Sequence, residues 1–237
     1  MGDHVVKVGY PKEHVTIIPN GSDLDLFDVG DAAGKDLRRR HAWLGDNPLV
    51  LYTGALGLIN GADYLAEIAA VCLERAPDIR FALIGAGREK DLIRARAEEL
   101  GVLDKNFFFL GAMPKKDVPA WHAAADLTTA LMQGPECLWK HAVQNKFFDS
   151  LAAARPIACN FRGWQSEIAD EADAGIIIDY RNPESAADHF IKVLRDRDWL
   201  KRAGANARRL GEERFDRNIL ANSLETVLHD AVARPPR

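Results

Sequence analysis

The sequence predicts an α/β fold in which a doubly wound parallel sheet is followed by extra C-terminal helices. Two observations lead to this class. Short apolar runs alternate with longer segments of helical periodicity up to about residue 180. The apolar runs are continuous instead of alternating with polar residues, as in strands that are covered on both faces. Sheets of this kind bind ligands at the carboxyl ends of their strands, so the residues directly after each strand deserve the closest inspection.

Each predicted strand is a run rich in β-branched, aromatic or aliphatic residues, and most are followed by a turn residue such as glycine or asparagine. The first run, for example, ends at Asn20-Gly21. The predicted strands are VTIIP (15–19), LVLYTG (49–54), IRFALIG (79–85), NFFFLG (106–111), DLTTALM (126–132), RPIACN (155–160) and AGIIIDY (174–180).

The segments between these strands repeat their apolar residues every three or four positions, which is the helical period. In the first of them, Leu65, Ile68, Ala69 and Cys72 share one face. Because helices separate consecutive strands, right-handed crossovers and a parallel sheet are expected. The predicted helices are 62–75, 89–100, 117–125, 144–154 and 166–172, and then 183–195, 200–214 and 217–232 without strands between them.

The composition excludes several classes of function. The 237 residues carry 31 Lys and Arg against 35 Asp and Glu, so the net charge of −4 does not favour a nucleic-acid surface. No apolar stretch approaches the length of a membrane span, and the first residues have no apolar core typical of a secretory signal. Cys72, Cys137 and Cys159 lack metal-ligand spacing, and we expect a reducing, cytoplasmic compartment and no metal site.

Glycine-rich turns follow three of the predicted strands. TGALGLINGADYL contains Gly54, Gly57 and Gly61, IGAGREKDL contains Gly85, and FLGAMPKKDVP contains Gly111. Backbone N–H groups at the start of a helix attract phosphate, and glycine lets the phosphate approach. The turns are neither a GxGxxG fingerprint nor a P-loop, so a plain tight turn explains each one equally well.

A second candidate is the helix that begins NKFFD. Lys146 at its start is placed to face a diphosphate, with Asn145 beside it. Asp149 lies one turn later on the same face, where a carboxylate accepts hydrogen bonds from ribose hydroxyls. A solvated Lys–Asp pair is the alternative explanation, and the helix taken alone favours it.

The order of these motifs along the chain carries more information than any one of them. VTIIPNGSDLDLF, TGALGLINGADYL, IGAGREKDL, FLGAMPKKDVPAWHAAAD, NKFFDSLAAARPIACN and RGWQSEI follow one another. This succession resembles the C-terminal, donor-binding half of the family four (group 1) retaining glycosyltransferases, whose two-domain GT-B fold has Rossmann-like halves. PKKDVP and NKFFD are similar to bacterial surface-polysaccharide enzymes that transfer sugars such as N-acetyl-L-fucosamine.

The resemblance implies a role for each candidate residue. Gly54, Gly57, Gly61 and Gly85 match turns around the donor, and Lys146 with Asn145 would face the diphosphate. Ala55 and Asn60 stand where the family usually has Arg and Lys, so both cations are absent, and Asn60 is retained as a donor-binding position. Asp149 matches the second acid of the E-x7-E motif, which binds the ribose, whereas His141 stands at the first acid and is, with Lys146, a candidate catalytic residue. Leu110, Gly111 and Met113 match the segment that reads the base.

The resemblance also implies a domain organisation and partners. Residues 1–14 would be a linker, 15–216 the nucleotide-sugar-binding domain, and 217–237 a helix and tail that cross to a missing N-terminal acceptor domain, without which this chain would be inactive. The donor would be an NDP-sugar, UDP-linked for preference, with no cofactor or metal. The full-length protein would be cytoplasmic, with peripheral attachment to the inner membrane left open.

Two alternative functions remain open at this point. A non-catalytic nucleotide- or partner-binding domain is one alternative function, and a GT-B UDP-sugar epimerase is another; IPNGSDLDLF and NKFFD favour the transferase.

The last helix has Leu220, Leu224, Val227, Leu228 and Ala231 at helical spacing. Because an exposed apolar stripe tends to find a partner, we expect it to pack on its own domain or to form a homodimer. The tail ARPPR is expected to fray.

Overall fold

The computed structural model describes residues 2–233, and its centre is a six-stranded, all-parallel sheet. The order of the strands across the sheet is β3-β2-β1-β4-β5-β6, so the strand order reverses between β1 and β4 although all strands run parallel. The predicted fold class is confirmed. The strands are β1 Leu49–Thr53, β2 Arg80–Ile84, β3 Phe107–Gly111, β4 Leu127–Ala130, β5 Ile157–Cys159 and β6 Gly175–Ile177.

Twelve α-helices in residues 2–233 connect and cover these strands. They are α1 Gly2–Lys7, α2 Leu24–Phe27, α3 Gly30–Arg40, α4 Tyr64–Arg75, α5 Lys90–Glu99, α6 Val118–Ala124, α7 Glu136–Trp139, α8 Asn145–Ala152, α9 Trp164–Glu171, α10 Pro183–Arg195, α11 Arg197–Arg214 and α12 Arg217–Ala233. Single 3-10 turns occur at Lys12–His14, Leu58–Asn60 and Lys115–Asp117.

The sheet is buried on both faces, as the continuous apolar runs predict. Along β1, Val50 and Tyr52 face the core beneath α4 and α10, whereas Leu49 and Leu51 face the core beneath α3 and α6. Helix α8 lies on this second side, where the Thr128 hydroxyl of β4 bonds the Ser150 hydroxyl at 2.8 Å. The first turn of α8 therefore reaches the carboxyl edge of the sheet from the α3 side.

The strand predicted at residues 15–19 does not form, and that prediction is wrong. No strand of the described sheet pairs with it, and Ile17 is 71% exposed. An isolated bridge from Ser22 to Asp216 is the β-type contact that this segment makes. A run of β-branched residues favours an extended backbone, but a strand also needs a partner. The helix predicted from residue 200 begins earlier, at Arg197, because the Asp196 carboxylate accepts a hydrogen bond from the Trp199 N–H.

Helix α12 contacts its own domain at its beginning. Arg217 pairs with Asp23 at 2.9 Å, and Leu220 lies against Gly21. Further along, Leu228 and Val232 are 58% and 86% exposed, and none of the helix's residues is buried. Packing on its own domain therefore covers only the start of the predicted stripe, and dimerisation stays a prediction. The fraying prediction for the tail concerns mainly residues 234–237, which lie outside the described residues.

None of the helices described in residues 2–233 combines the length and apolar character needed to cross a bilayer.

Candidate functional site

A cavity of about 990 Å³ opens at the carboxyl ends of β1 and β2, beside the point where the strand order reverses. This is the place where doubly wound sheets bind ligands. The 15–23 segment and the start of α12 complete its wall. Seven of the predicted site residues line it together: Gly54, Asn60, Gly85, Met113, Asn145, Lys146 and Asp149.

The other five predicted residues lie outside the lining of this cavity. Gly57 precedes the 3-10 turn after β1, and Gly61 lines a neighbouring cavity of about 320 Å³. Leu110 packs against the core beneath α6, and the Gly111 carbonyl accepts a hydrogen bond from Gly85. His141 is exposed in the turn after α7. The structure therefore brings together the diphosphate and ribose candidates but leaves His141 apart from them.

The glycine turns after β1 and β2 are pressed against each other at the floor of the cavity. The Gly54 N–H donates to the Ile84 carbonyl at 2.9 Å, and a Cβ at position 85 would overlap the Gly54 carbonyl oxygen. Gly54 has a φ of 135°, a conformation that side-chain-bearing residues avoid. These two glycines are required by the close approach of two turns, whatever the ligand.

The environment of Lys146 is unusual for a lysine because its amine is buried. It is 8% exposed, and its Nζ has no hydrogen-bond partner among the described residues. The Nζ lies 3.9 Å from the centre of the Tyr52 ring, above Gly54. Burial lowers the pKa of Lys146 to about 7, opposed by the nearby Cys159 thiol. Burying a cation without an ion-pair partner costs free energy, so a lysine in this environment is typical of a site that binds an anion.

Asp149 lies one helical turn after Lys146 and also lines the cavity. Burial raises its pKa to about 6, with Lys115 lowering the value and Asp23 raising it. No salt bridge joins Asp149 to Lys146 among residues 2–233. The solvated Lys–Asp pair that the helix alone favours is therefore not what the structure contains.

The N-terminus of α8 opens into the same cavity. Its N-cap residue, Gln144, makes no side-chain hydrogen bond to the first turn. The Phe147 N–H donates to the Gln144 carbonyl at 3.2 Å, which leaves the N–H groups of Asn145 and Lys146 available to an anion, as in many phosphate sites. Asn145 Oδ1 accepts a hydrogen bond from Asn20 Nδ2 at 2.8 Å, which ties this turn to the 15–23 segment.

Several lining residues were missed by sequence reasoning. Asn20 and Asp23 come from the segment predicted as a strand and its turn, and Lys115 comes from the PKKDVP loop. Lys115 and Asp23 lie in loops, where site residues are common, so the sequence does contain a signal for both. Tyr52, which contacts Lys146 from below, carries no sequence signal beyond its place near the end of β1.

Comparison with known proteins gives a consistent picture of the fold. The structure is similar to that of Anabaena Alr3699/HepE in complex with UDP, with a TM-score of 0.82 and 19% identity over 97% of this chain and 61% of that one. It is also similar to the C-terminal domain of the Francisella tularensis glycosyl transferase group 1 family protein LpcC, with a TM-score of 0.65 and 17% identity over 83% of this chain and all of that one. At these identities the likeness establishes a GT-B-type Rossmann-like half.

Curated proteins of two bacteria are similar to most of this chain in sequence. A GDP-mannose-dependent alpha-(1-6)-phosphatidylinositol monomannoside mannosyltransferase of Mycobacterium tuberculosis (strain CDC 1551 / Oshkosh) is 27% identical over 231 residues, which are 94% of this chain and 58% of that protein. Spore coat protein SA of Bacillus subtilis (strain 168) is 26% identical over 225 residues, which are 88% of this chain and 56% of that protein. The chain thus spans little more than half the length of these relatives.

The family profile described as "Glycosyl transferases group 1" matches residues 34–210, which include the sheet, the glycine turns and α8. The match covers well over half of the chain and agrees with the fold and with the sequence relatives. The chain therefore belongs to the group 1 glycosyl transferases.

Proposed function

We propose that this chain is the nucleotide-sugar-binding half of a retaining glycosyltransferase. In this proposal the cavity of about 990 Å³ holds an NDP-sugar, with the diphosphate over Gly54 and the first turn of α8. The observation that carries the proposal is Lys146: the residue lines the cavity, and its Nζ is buried and has no hydrogen-bond partner among residues 2–233. A diphosphate is a ligand that matches a single buried cation beside open helix N–H groups.

The remaining lining residues fit the other parts of such a donor. Asp149 would accept hydrogen bonds from the ribose hydroxyls, and Met113 would flank the base, next to Leu110 and Gly111, which lie just outside the lining. Asn145 and Asn60 offer amide groups at the rim of the cavity. Group transfer requires the diphosphate to leave with its charge stabilised, and preorganised N–H groups and a cation supply that stabilisation. Lys146 would do so here, and we propose that donor binding needs no metal.

The donor is proposed to be a UDP-sugar. Structurally similar chains are described in complex with UDP and with UDP-glucose, whereas the mycobacterial relative is named as GDP-mannose-dependent. UDP and GDP are therefore the two bases to compare first. The motifs PKKDVP and NKFFD support an N-acetylated deoxyamino sugar such as N-acetyl-L-fucosamine, and a role in bacterial surface-polysaccharide synthesis, as finer proposals.

The proposal includes a partner domain. Acceptor binding and turnover are assigned to an N-terminal half that α12 would cross to meet, so this chain alone is expected to bind donor without transferring sugar. The exposed residues late in α12, among them Leu228 and Val232, are available for that contact or for a homodimer.

One observation favours a non-catalytic nucleotide-binding domain as the second candidate. His141, which stands where the family has an acid, is exposed and lies outside the cavity lining, and Ala55 and Asn60 bring no cation. An assay for UDP-GlcNAc epimerisation tests the epimerase alternative, and sugar transfer after joining an acceptor domain separates a transferase from a non-catalytic binder.

Isothermal titration with UDP, GDP and ADP tests donor binding directly. We expect UDP to bind at micromolar to submillimolar concentration, with unchanged affinity in EDTA. Lys146→Ala should weaken this binding by at least about 30-fold, and Lys140→Ala, which removes an exposed lysine from the preceding loop, serves as the matched control. Failure of all three nucleotides to bind at millimolar concentration would refute the proposal.

A further inference from the structure

Tyr52 touches both sides of the proposed diphosphate site, although it does not line the cavity. Its side chain is fully buried near the end of β1. The ring face lies 3.9 Å from the Nζ of Lys146, and the hydroxyl donates a hydrogen bond to the Ala55 carbonyl at 2.8 Å. One side chain thus holds the lysine of α8 and the glycine turn after β1 in a fixed relation.

Among residues 2–233, the aromatic ring of Tyr52 is the favourable contact that the structure gives the Lys146 ammonium. Tyr52 faces the Nζ from β1, and the neutral Cys159 thiol faces it from β5. On its own helix, Asp149 interacts with Lys115 and Asp23 and makes no ion pair with Lys146. Because no carboxylate of the part of the chain that the structure describes forms a salt bridge with the amine, the electron-rich face of the Tyr52 ring stabilises its ammonium form.

We propose that Tyr52 is a positioning residue whose ring seats the Lys146 amine at the cavity floor, so that a diphosphate binds there together with a proton from solvent. The inference rests on the proposed donor site and adds a role that none of the lining residues has. The proton comes from water or buffer and goes to Nζ; no other bond changes.

The physical reason is the balance between desolvation and charge. Burial lowers the pKa of Lys146 to about 7, so the amine is partly neutral when the cavity holds no anion. A bound diphosphate places negative charge within reach of Nζ, which raises the pKa and draws a proton. At pH 7.0 a group of pKa 7 that becomes fully charged on binding takes up about half a proton per site.

Isothermal titration of UDP in two buffers of different ionisation enthalpy measures this uptake. At pH 7.0 the terminal phosphate of UDP is mostly ionised already, so it releases little proton, and the same titration with Asp149→Asn removes any uptake by that carboxylate. We expect about half a proton taken up by the wild-type protein, and none when uridine replaces UDP. UDP binding without proton uptake would overturn the inference and leave the donor site standing. A wild-type protein that binds no UDP would overturn both.

Two substitutions separate the ring from the hydroxyl. Tyr52→Phe keeps the ring, so the proton count should stay at the wild-type value while affinity falls about three- to tenfold, because the Ala55 carbonyl loses its donor. Tyr52→Leu removes the ring, so the free amine is less protonated and uptake should rise towards one proton, with a further loss of affinity.

Tyr64→Phe is the matched control, because Tyr64 is also buried and donates to a carbonyl, that of Asp179 at 2.6 Å, away from Lys146. It should change neither the affinity for UDP nor the proton count. A Tyr52→Leu protein with the wild-type proton count would overturn the role of the ring. Should that variant fail to fold, a Tyr52→Phe protein with wild-type affinity would overturn the link to the glycine turn.

Discussion

Two regions meet at the cavity, and they would contribute unequally to the anion site that we propose. At Gly54 and Ala55 the turn after β1 can offer an anion only its backbone, since both residues are exposed and carry no charged side chain. The first turn of α8 offers N–H groups and the buried ammonium of Lys146. Of these two regions of the chain, the positive charge lies on the α8 wall of the cavity, and the turn after β1 carries none.

The difference has a consequence for stability. A cation on the exposed turn would cost the fold little, whereas the pKa of Lys146 is lowered by burial, so its charge opposes folding. Binding of an anionic ligand would then offset the free-energy cost of the buried Lys146 charge. Sites with this property trade stability for binding.

Lys146→Met is expected to have the largest effect. UDP affinity should fall at least about 30-fold, because a charge-assisted contact to the diphosphate is lost. Thermal stability should rise, since a buried cation without a partner is replaced by an apolar chain of similar length. The penalty is absent above the unfolded pKa of 10.5 and grows as pH falls towards 7, so the gain in Tm should be larger at pH 7 than at pH 10.

Lys140→Met controls for the loss of a surface charge and should leave both Tm and UDP affinity unchanged. Loss of stability together with binding in Lys146→Met would show that the lysine supports the fold instead of the ligand.

Asp149→Asn should have the second-largest effect, with UDP affinity falling about tenfold as the ribose loses a charged acceptor. Because the pKa of Asp149 is raised to about 6, the ratio of wild-type to variant affinity should fall as pH drops below 6, and taking the ratio cancels protonation of the UDP phosphate. For folding the sign is opposite: the raised pKa gives stability below the unfolded pKa of 3.8 that is lost as pH rises through 6. Titrations between pH 5 and 8 measure the first effect, and a pH-independent ratio of affinities would contradict it.

Asn60→Lys should restore a cation to the turn after β1 and increase UDP affinity by about three- to tenfold at low salt, with less gain at high salt. The same substitution in the Lys146→Met background should rescue part of the lost binding. A double variant that binds UDP no better than Lys146→Met would show that a cation on the turn after β1 cannot replace Lys146.

His141→Ala should have the smallest effect. Its exposed imidazole lies outside the cavity lining, so the affinity for UDP should not change. Comparing UDP with UDP-GlcNAc sharpens the test, because a contact to the sugar alone would weaken only the second ligand. Weaker binding of UDP itself would contradict the geometry.

The sheet was predictable because each of its strands is a local apolar run. Residues 15–19 look equally strand-like, yet pairing depends on neighbours that no local pattern reveals, and that strand is absent. The burial of Lys146 was hidden for the same reason. It depends on Tyr52 and Cys159, which are distant in sequence and meet α8 only when β1 and β5 flank β4.

A crystal structure with UDP tests the central claim most directly. The account predicts the diphosphate in the cavity beside Gly54, with Nζ of Lys146 within about 3 Å of a phosphate oxygen and still over the Tyr52 ring. A UDP molecule bound elsewhere, or a diphosphate in the cavity that leaves Nζ without contact, would contradict it.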